Sequence, residues 1–315
     1  MTSAASCPGP RGRSSARSRW LRASRSSPSR SAPPARGSAM RTSRGARRRV
    51  RSRGAWRVAA TKCGAWEAVS ADAENRRGFH AFRSPLRIGD DMTRTLLITG
   101  ASTGIGAATA RAAVEAGWRV GLLARSEEKL RGLAEELGDA AALLPCDVTD
   151  AAAQQVAADA LAERFGGIDA AFANAGLGAS ATGFAGGDLA NWRMMVEVNI
   201  WGLLATCKAV TPHLRARRGQ VVLTGSRAGR RVMKGSVYSA TKHFVHGFAA
   251  NLEEEMREWG GRCTVIAPGM VDTPFFDDPK PDALRPEDVA RSVVWALEQP
   301  EHVAIGEIYL TPNAA

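Results

Sequence analysis

The sequence has few cysteines, and none of them form a recognisable pair. Its five Cys residues are odd in number, widely separated and without a CxxC motif, which argues against a disulfide framework and a structural zinc site. It also lacks any uncharged apolar run of the roughly 18 residues that a membrane-spanning helix needs, and no apolar segment follows its basic start. We therefore expect a cytoplasmic protein without a membrane partner.

Positive charge is concentrated at one end of the chain. The formal net charge of +12 would by itself suggest a nucleic-acid or membrane-surface partner. Residues 1–91 hold 21 Lys and Arg against 5 Asp and Glu, a net of +16, whereas residues 92–315 hold 22 against 26, a net of −4. The larger part of the chain is therefore mildly acidic, and we do not expect it to bind nucleic acid.

Residues 1–91 are rich in Arg and Ser and show neither helical periodicity nor strand alternation. Such a segment buries too little apolar area to offset its ordering entropy, so we expect it to be disordered. Three origins are open: upstream DNA read in frame before a true start at Met92, an organelle transit peptide, or a basic tail that binds nucleic acid. The first is favoured because a complete domain pattern begins two residues after Met92.

Downstream of the basic segment, short β-branched or Leu-rich runs alternate with amphipathic helical stretches, which is typical of βαβ units around a parallel sheet. Strands are predicted at 94–99, 119–124, 141–145, 168–173, 220–225, 262–267 and 306–310. Helices are predicted at 104–117, 126–137, 150–165, 188–217 with a break allowed at Pro212, 236–259 and 286–298. Residues 92–315 are therefore predicted to be one α/β domain with a doubly wound parallel sheet of about seven strands.

A glycine-rich turn joins the first predicted strand to the first predicted helix. Glycines in such a turn allow a tight bend and close approach of a pyrophosphate, while the helix N-terminus offers free N–H groups and a positive partial charge. Residues 99–106 read TGASTGIG. This pattern resembles the TGxxxGxG fingerprint of the short-chain dehydrogenase/reductase family, and the resemblance extends from Arg94 to the C-terminus.

The resemblance implies a Rossmann fold, a nicotinamide cofactor, hydride transfer and no metal. Further matches lie at the ends of the predicted third, fourth and sixth strands, where the family has an adenine contact, an NAG motif and a PGxVxT motif. The cofactor-binding residues that it implies are Gly100, Ser102, Thr103, Gly104, Ile105, Gly106, Asp147, Val148, Asn174, Ala175, Gly176, Pro268, Gly269, Val271 and Thr273.

The residue after the second predicted strand bears on the choice of cofactor. NAD-binding sites place a carboxylate there for the ribose 2′-hydroxyl, whereas an Arg accommodates the 2′-phosphate of NADP. This chain has Arg125, with no carboxylate at the strand end. A guanidinium binds phosphate in a bidentate manner. NADP(H) is therefore the predicted cofactor, with NAD(H) as the alternative.

A tyrosine and a lysine four residues apart match the family's YxxxK motif. Tyr238 and Lys242 would lie on one face of a helix because positions i and i+4 are neighbours. A nearby ammonium favours the phenolate and lowers the pKa of a tyrosine. The resemblance implies that Tyr238 is the catalytic acid/base and that Lys242 lowers its pKa and binds the nicotinamide ribose.

Two more residues complete the implied catalytic set. Ser226 follows the fifth predicted strand and resembles the serine that hydrogen-bonds the substrate oxygen. This chain has Gly225-Ser226 where the family usually has two serines, and the spacing from Ser226 to Tyr238 is one residue shorter than in the family. Asn199 matches the helix asparagine that holds a water connected to the lysine. Since Asn is a poor helix former, another demand is expected to keep it there.

The sequence thus predicts an NADP(H)-dependent oxidoreductase that acts on a carbonyl or secondary alcohol. The resemblance also implies that the protein assembles into a homodimer or homotetramer, as in the family. The loop with Arg230 and Arg231 resembles that of the family branch that acts on small 3-hydroxy acids. Arg side chains are suited to bind the carboxylate of such a substrate. A proline-rich segment, 274–285, is interpreted as a lid, with Phe275 and Phe276 as an apolar wall. His243 and His246 are interpreted as packing or surface residues. The alternative function is a catalytically silent NADP(H)-binding regulator.

Overall fold

The computed structural model describes residues 93–276 and 278–313. Its described part contains seven strands: β1 (Thr95–Thr99), β2 (Arg119–Ala124), β3 (Ala141–Pro145), β4 (Ala170–Ala173), β5 (Gln220–Thr224), β6 (Arg262–Pro268) and β7 (Glu307–Leu310). The helices are α1 (Gly104–Glu115), α2 (Glu127–Leu137), α3 (Ala151–Phe165), α4 (Leu189–Val196), α5 (Leu203–Arg217), α6 (Val237–Arg257) and α7 (Pro286–Leu297).

All seven strands are parallel and form one sheet in the order β3-β2-β1-β4-β5-β6-β7. Helices cover both faces, so the inner strands such as β1, β5 and β6 are almost entirely buried, as their apolar sequences predict, whereas the edge strand β7 is partly exposed. Alternate residues of a strand point to opposite faces. In β1, Leu97 packs with α3, α5 and α6, whereas Leu96 and Ile98 pack with α1, α2 and α7.

The predicted doubly wound Rossmann-like sheet is confirmed, with element ends that differ from the prediction by a few residues. The proposed disorder of residues 1–91 lies outside the described residues, and the division into a basic segment and one domain stays a prediction. Among the described residues, no helix combines the length and the apolar character that crossing a membrane requires.

The predicted single helix over 188–217 is interrupted at a different place from the one we expected. A π-helical stretch, Glu197–Gly202, separates α4 from α5, while Pro212 lies inside α5 without ending it. Both Pro212 and Lys208, four residues earlier, are exposed. The carbonyl that loses its helical partner at a proline therefore lies on the solvent side, where water satisfies it.

The winding of the sheet reverses at β1, which pairs with β2 on one side and β4 on the other. In doubly wound sheets, ligands bind beyond the carboxyl ends of the strands at this reversal. Here the turn after β1 meets the segment after β4. The fold therefore brings together motifs that are about 75 residues apart in sequence.

Candidate active site at the carboxyl ends of the strands

The glycine turn after β1 is closed so tightly that side chains are excluded. A Cβ atom added to Gly106 would lie 2.2 Å from the carbonyl oxygen of Gly100, and Gly100 itself has φ of +65°. Thr103 is the N-cap of α1 but makes no capping bond through its side chain, and the first turn of α1 holds no acidic residue. The turn is therefore a cradle of backbone N–H groups that fits a pyrophosphate.

Asn174, after β4, is held against this turn by two threonines. Its side-chain amide donates to the carbonyl of Thr99 at 3.1 Å, and its amide oxygen accepts from the Thr224 hydroxyl at 3.2 Å. The Thr99 hydroxyl oxygen in turn accepts from the backbone N–H groups of Asn174 and Ala175. Sequence reasoning missed both threonines. Their signal was a polar residue at the last position of a buried strand with an apolar centre.

Further residues of the predicted cofactor site lie within the glycine turn or beside it. Ser102 and Ile105 are partly buried within it, and Thr273 approaches it from the segment after β6, close to Gly104. Val271 is buried and forms a bridge with Leu284.

The residues after β3 and β6 are fixed mainly by backbone contacts. An Asp147 carboxylate oxygen accepts from the backbone and side chain of Thr149, each at 2.9 Å, while Val148 is buried. Pro268 ends β6, and the N–H of Gly269 donates to the carbonyl of Leu310 at 2.7 Å. These contacts fix the two loops by local turns and strand pairing.

Arg125 lies at the end of β2 and is exposed. Within the described residues it makes no ion pair or hydrogen bond. The nearest acidic residue in sequence, Glu127, is paired with Arg131 at 2.6 Å. The guanidinium of Arg125 is therefore available for a ligand on the side of the sheet where β2 ends.

Helix α6 presents the tyrosine and lysine of the YxxxK motif. The helix starts with Ser236, whose side chain accepts from the N–H of Ser239, so its first turn places Tyr238 near the strand ends. Four residues later, Lys242 is buried, and its Nζ donates to the carbonyl of Thr224 at 2.8 Å. Thr224 thus links Lys242 to Asn174.

Burial shifts the pKa values of both groups, and the shift of the Tyr238 pKa differs from the one we predicted. Burial lowers the pKa of Lys242 to about 8. Burial also raises the pKa of Tyr238, an effect that a hydrogen bond with the Ser226 side chain opposes. The predicted lowering by the lysine is not seen because Nζ is turned to Thr224 and lies 5.9 Å from the centre of the Tyr238 ring. In the protein alone, the phenol therefore stays protonated at neutral pH.

Ser226 caps a short 3₁₀ turn, Arg227–Arg230, that follows β5. Its hydroxyl oxygen accepts from the N–H of Ala228 at 3.0 Å, and its side chain is buried. Since this side chain also lowers the pKa of Tyr238, the structure brings the predicted serine and tyrosine close to each other despite the shortened loop between them.

Asn199 lies in the π-helical stretch and is almost completely buried. Its amide pairs with the backbone of Leu177, accepting at 2.7 Å and donating at 2.9 Å, and also donates to Thr241 Oγ1 at 3.1 Å. Its Oδ1 and Lys242 Nζ both lie within 4 Å of the position that a Cβ atom on Gly176 would take. The two polar groups therefore face the same small space, without a direct bond.

The π-helical stretch is fixed by a buried glutamine that sequence reasoning missed. Gln154 Nε2 donates to the carbonyls of Val148 and Gly202 at 2.6 and 3.1 Å, and its Oε1 accepts from Thr206 at 2.7 Å. One of several polar residues in an alanine-rich helix gives no clear sequence signal. It ties the loop after β3 to the stretch that carries Asn199.

An aromatic ring bounds the site on the side away from α6. The ring centre of Phe275 lies 5.8 Å from that of Tyr238, and the ring packs against Gly178. The predicted apolar wall is therefore formed by Phe275. Among the described residues, no group of three or more His, Cys, Asp or Glu side chains is placed to hold a metal ion.

Known proteins share these features of fold and sequence. The family described as short chain dehydrogenase matches residues 94–283. A serine 3-dehydrogenase of Agrobacterium fabrum is 36% identical over 235 residues, which make up 70% of this chain and 94% of that protein. The chain therefore belongs to the short-chain dehydrogenase family.

Two solved structures extend the comparison to ligands. An alcohol dehydrogenase from the archaeon Thermococcus sibiricus, complexed with 5-hydroxy-NADP, is 30% identical with a TM-score of 0.65, covering 70% of this chain and 97% of its own. The closed form of a serine dehydrogenase complexed with NADP+ is 31% identical with a TM-score of 0.65, covering 69% and 94%. The protein is thus an oxidoreductase of the nicotinamide-dependent class.

Proposed function

We propose that the protein is an NADP(H)-dependent oxidoreductase that interconverts a carbonyl compound and a secondary alcohol. The observation that carries this proposal is the convergence of Tyr238, Ser226, Lys242 and Asn199 beside the glycine turn. The Ser226 side chain lies close enough to Tyr238 to lower the pKa of its phenol, while Lys242 and Asn199 face one space beside Gly176. Acid/base chemistry needs such a proton donor within reach of a second group that binds the same oxygen.

The roles of the side chains follow from their contacts and charges. Bound nicotinamide supplies or accepts the hydride. Tyr238, protonated at neutral pH because burial raises its pKa, gives its phenolic proton to the carbonyl oxygen in reduction and takes it back in oxidation. Ser226 donates a hydrogen bond to the same oxygen and stabilises its developing negative charge. Lys242 holds the cofactor ribose, and Asn199 sustains proton return to Tyr238.

Preference for NADP(H) rests on the end of β2. Arg125 is exposed and unpaired among the described residues, and Glu127 is engaged by Arg131. A guanidinium in this position recognises a 2′-phosphate, and no free carboxylate at the strand end repels it. The two related structures with NADP+ or an NADP derivative support the same preference.

Small 3-hydroxy acids are a second substrate candidate, supported by the relative that is a serine 3-dehydrogenase. Of the two arginines that the sequence singles out, Arg230 is already paired with Glu307. Arg231 is exposed and makes no ion pair within the described residues. If the substrate carries a carboxylate, Arg231 is therefore the one of the two that is free to bind it.

The catalytically silent regulator remains the alternative function, since a bound cofactor alone does not require turnover. The cytoplasmic location and the assembly into a homodimer or homotetramer also remain predictions. A small-molecule carbonyl or alcohol is the proposed partner.

Cofactor binding and turnover test the proposal together. The full-length chain is titrated with NADPH and with NADH, and NADPH oxidation is then followed against a panel of ketones, aldehydes and 3-oxo acids, with serine tested in the oxidative direction. Tighter binding of NADPH and turnover of at least one compound are expected. Binding without turnover across the panel would favour the regulator, and failure to bind either cofactor would overturn the proposal.

A further inference from the structure

A buried histidine on α6 contacts the turn that carries Ser226. His246 follows Lys242 by four residues and Tyr238 by eight, so the three side chains share a helix face. Its side chain is only 4% exposed. Its Nε2 lies 3.2 Å from the carbonyl oxygen of Ser226, which also accepts from the N–H of Gly229 at 2.9 Å.

The glycines around Ser226 are shaped to this ring. A Cβ atom added to Gly225 would lie 2.9 Å from His246 Nε2 and 2.6 Å from Val265, and one added to Gly229 would lie 2.5 Å from His246 Cδ2. Real Cβ atoms do not approach neighbours so closely. Gly225, which replaces the first serine of the family's usual pair, is therefore the residue that lets the imidazole reach the Ser226 backbone.

A carboxylate on β7 lies near both the histidine and the far end of the same turn. His246 Nδ1 lies 3.7 Å from Glu307 Oε1, and Glu307 is also paired with Arg230 at the end of the 3₁₀ turn, with Arg230 Nε 3.2 Å from Oε1. The residue that caps the turn, Ser226, thus contacts His246, and the last residue of the turn, Arg230, is held by Glu307. Glu307 lies against both contacts.

We propose that His246 is a positioning residue, which holds the Ser226 carbonyl through an Nε2–H donor and so keeps the Ser226 hydroxyl beside Tyr238. The inference rests on the proposed function. A carbonyl oxygen only accepts, so Nε2 must carry the proton. Burial lowers the pKa of His246, as do the charges of Arg230 and His243, while Glu307 and the bond to Ser226 raise it. The neutral ring with its proton on Nε2 satisfies the Ser226 carbonyl at neutral pH.

Kinetics of paired variants separate positioning from a general loss of stability. His246→Gln places an amide donor near the former Nε2, whereas His246→Leu fills the space without a donor. We expect kcat to fall about tenfold in His246→Leu and to recover most of that loss in His246→Gln, with the KM for NADPH unchanged in both. His213→Leu is the control, because His213 also pairs with a carboxylate, Asp159, at 2.9 Å but on the exposed surface.

A double-mutant cycle identifies the residue through which His246 acts. If it acts through Ser226, then His246→Leu should lower kcat little further in a Ser226→Ala background, because coupled residues are not additive. Full additivity of the two losses, or equal losses in the Gln and Leu variants, would overturn the proposal.

Amide hydrogen exchange tests the same contact without turnover and so distinguishes its failure from failure of the proposed function. The N–H of Ala228, which donates to the Ser226 hydroxyl oxygen, should exchange faster in His246→Leu than in His246→Gln or the unmodified protein. Its exchange should not change in His213→Leu. Equal protection of Ala228 in all four proteins would contradict the proposal, whether or not a substrate is found.

Discussion

The two halves of the sheet build their parts of the site by different means. The half formed by β1, β2 and β3 offers backbone N–H groups in a turn that excludes side chains, a local Asp147 turn and the exposed Arg125. The half formed by β4, β5 and β6 uses side chains that are almost completely buried, among them Asn199 and Lys242. These side chains are held by hydrogen bonds to distant parts of the chain.

This difference assigns different properties to each half. A backbone cradle binds whatever fits its N–H groups, so changes there should alter cofactor affinity. Buried side chains are expensive to place unless all their partners are present, and they surround the predicted acid/base. Changes in the second half should therefore alter the rate of the chemical step, with less effect on cofactor affinity.

Tyr238→Phe should cause the largest effect. It removes only the phenolic hydroxyl, and loss of a general acid/base costs about 10²- to 10⁴-fold in kcat, while the Kd for NADPH stays unchanged. Tyr309→Phe is the matched control, because Tyr309 is the second of the two tyrosines and lies half exposed on β7. A comparable loss of turnover in both variants would break the assignment of catalysis to the second half.

Lys242 should leave a signature in the pH dependence of stability. Its folded-state pKa of about 8 lies below the ordinary 10.5, so between these values the unfolded chain binds the additional proton and stability rises with pH. Relative to Lys242→Met, the unmodified protein should gain about 3 kcal/mol in unfolding free energy between pH 8 and 10.5. Denaturant unfolding across this range measures it. A difference in unfolding free energy that stays constant over this pH range would contradict the lowered pKa of Lys242 in the folded protein.

Gly106→Ala should weaken the cofactor site without changing a catalytic group. The new Cβ would meet the backbone oxygen of Gly100 at 2.2 Å, and overpacking of this kind costs about 1–3 kcal/mol, roughly 5- to 150-fold in Kd. The Kd for NADPH is read by fluorescence titration. Gly132→Ala, where a Cβ meets nothing within 4 Å, should bind as the unmodified protein does. Unchanged binding in Gly106→Ala would remove the cradle from the account.

Arg125→Ala should have the smallest effect and the most selective one. Loss of a charge-assisted contact to the 2′-phosphate should raise the Kd for NADPH about tenfold and leave the Kd for NADH unchanged. Arg131→Ala is the control, because Arg131 lies on α2, the helix that follows Arg125, but is paired with Glu127. An equal loss for both cofactors would show that Arg125 does not select between them.

The sequence predicted the first half of the site better than the second, for a physical reason. The glycine turn depends on residues that are adjacent in sequence, and its spacing was sufficient to place it. Lys242 and Asn199 were found by motif, but their contacts to Thr224 and Leu177 span 18 and 22 residues. His246 was interpreted as a packing or surface residue because nothing near it in sequence indicates its contact with Ser226, 20 residues away.

Similar limits apply to the fold. Strand and helix order followed from apolar periodicity, whereas the π-helical stretch did not, because its extra residue per turn is stabilised by the Gln154 contact from α3 to the carbonyl of Gly202. Pro212 was expected to allow a break, but an exposed helix face tolerates the lost hydrogen bond. A side-chain contact between distant elements decided the first case, and solvent exposure decided the second.

Isotope transfer tests the central claim of hydride transfer most directly. The protein is incubated with a carbonyl compound that it reduces and with NADPH deuterated at nicotinamide C4, prepared separately on each face, and the alcohol is analysed by mass spectrometry. The account predicts that only one of the two deuterated forms places a deuterium on the former carbonyl carbon. Tyr238→Phe should form this deuterated alcohol only at a residual rate. Alcohol formed without deuterium from either form would contradict hydride transfer from the nicotinamide.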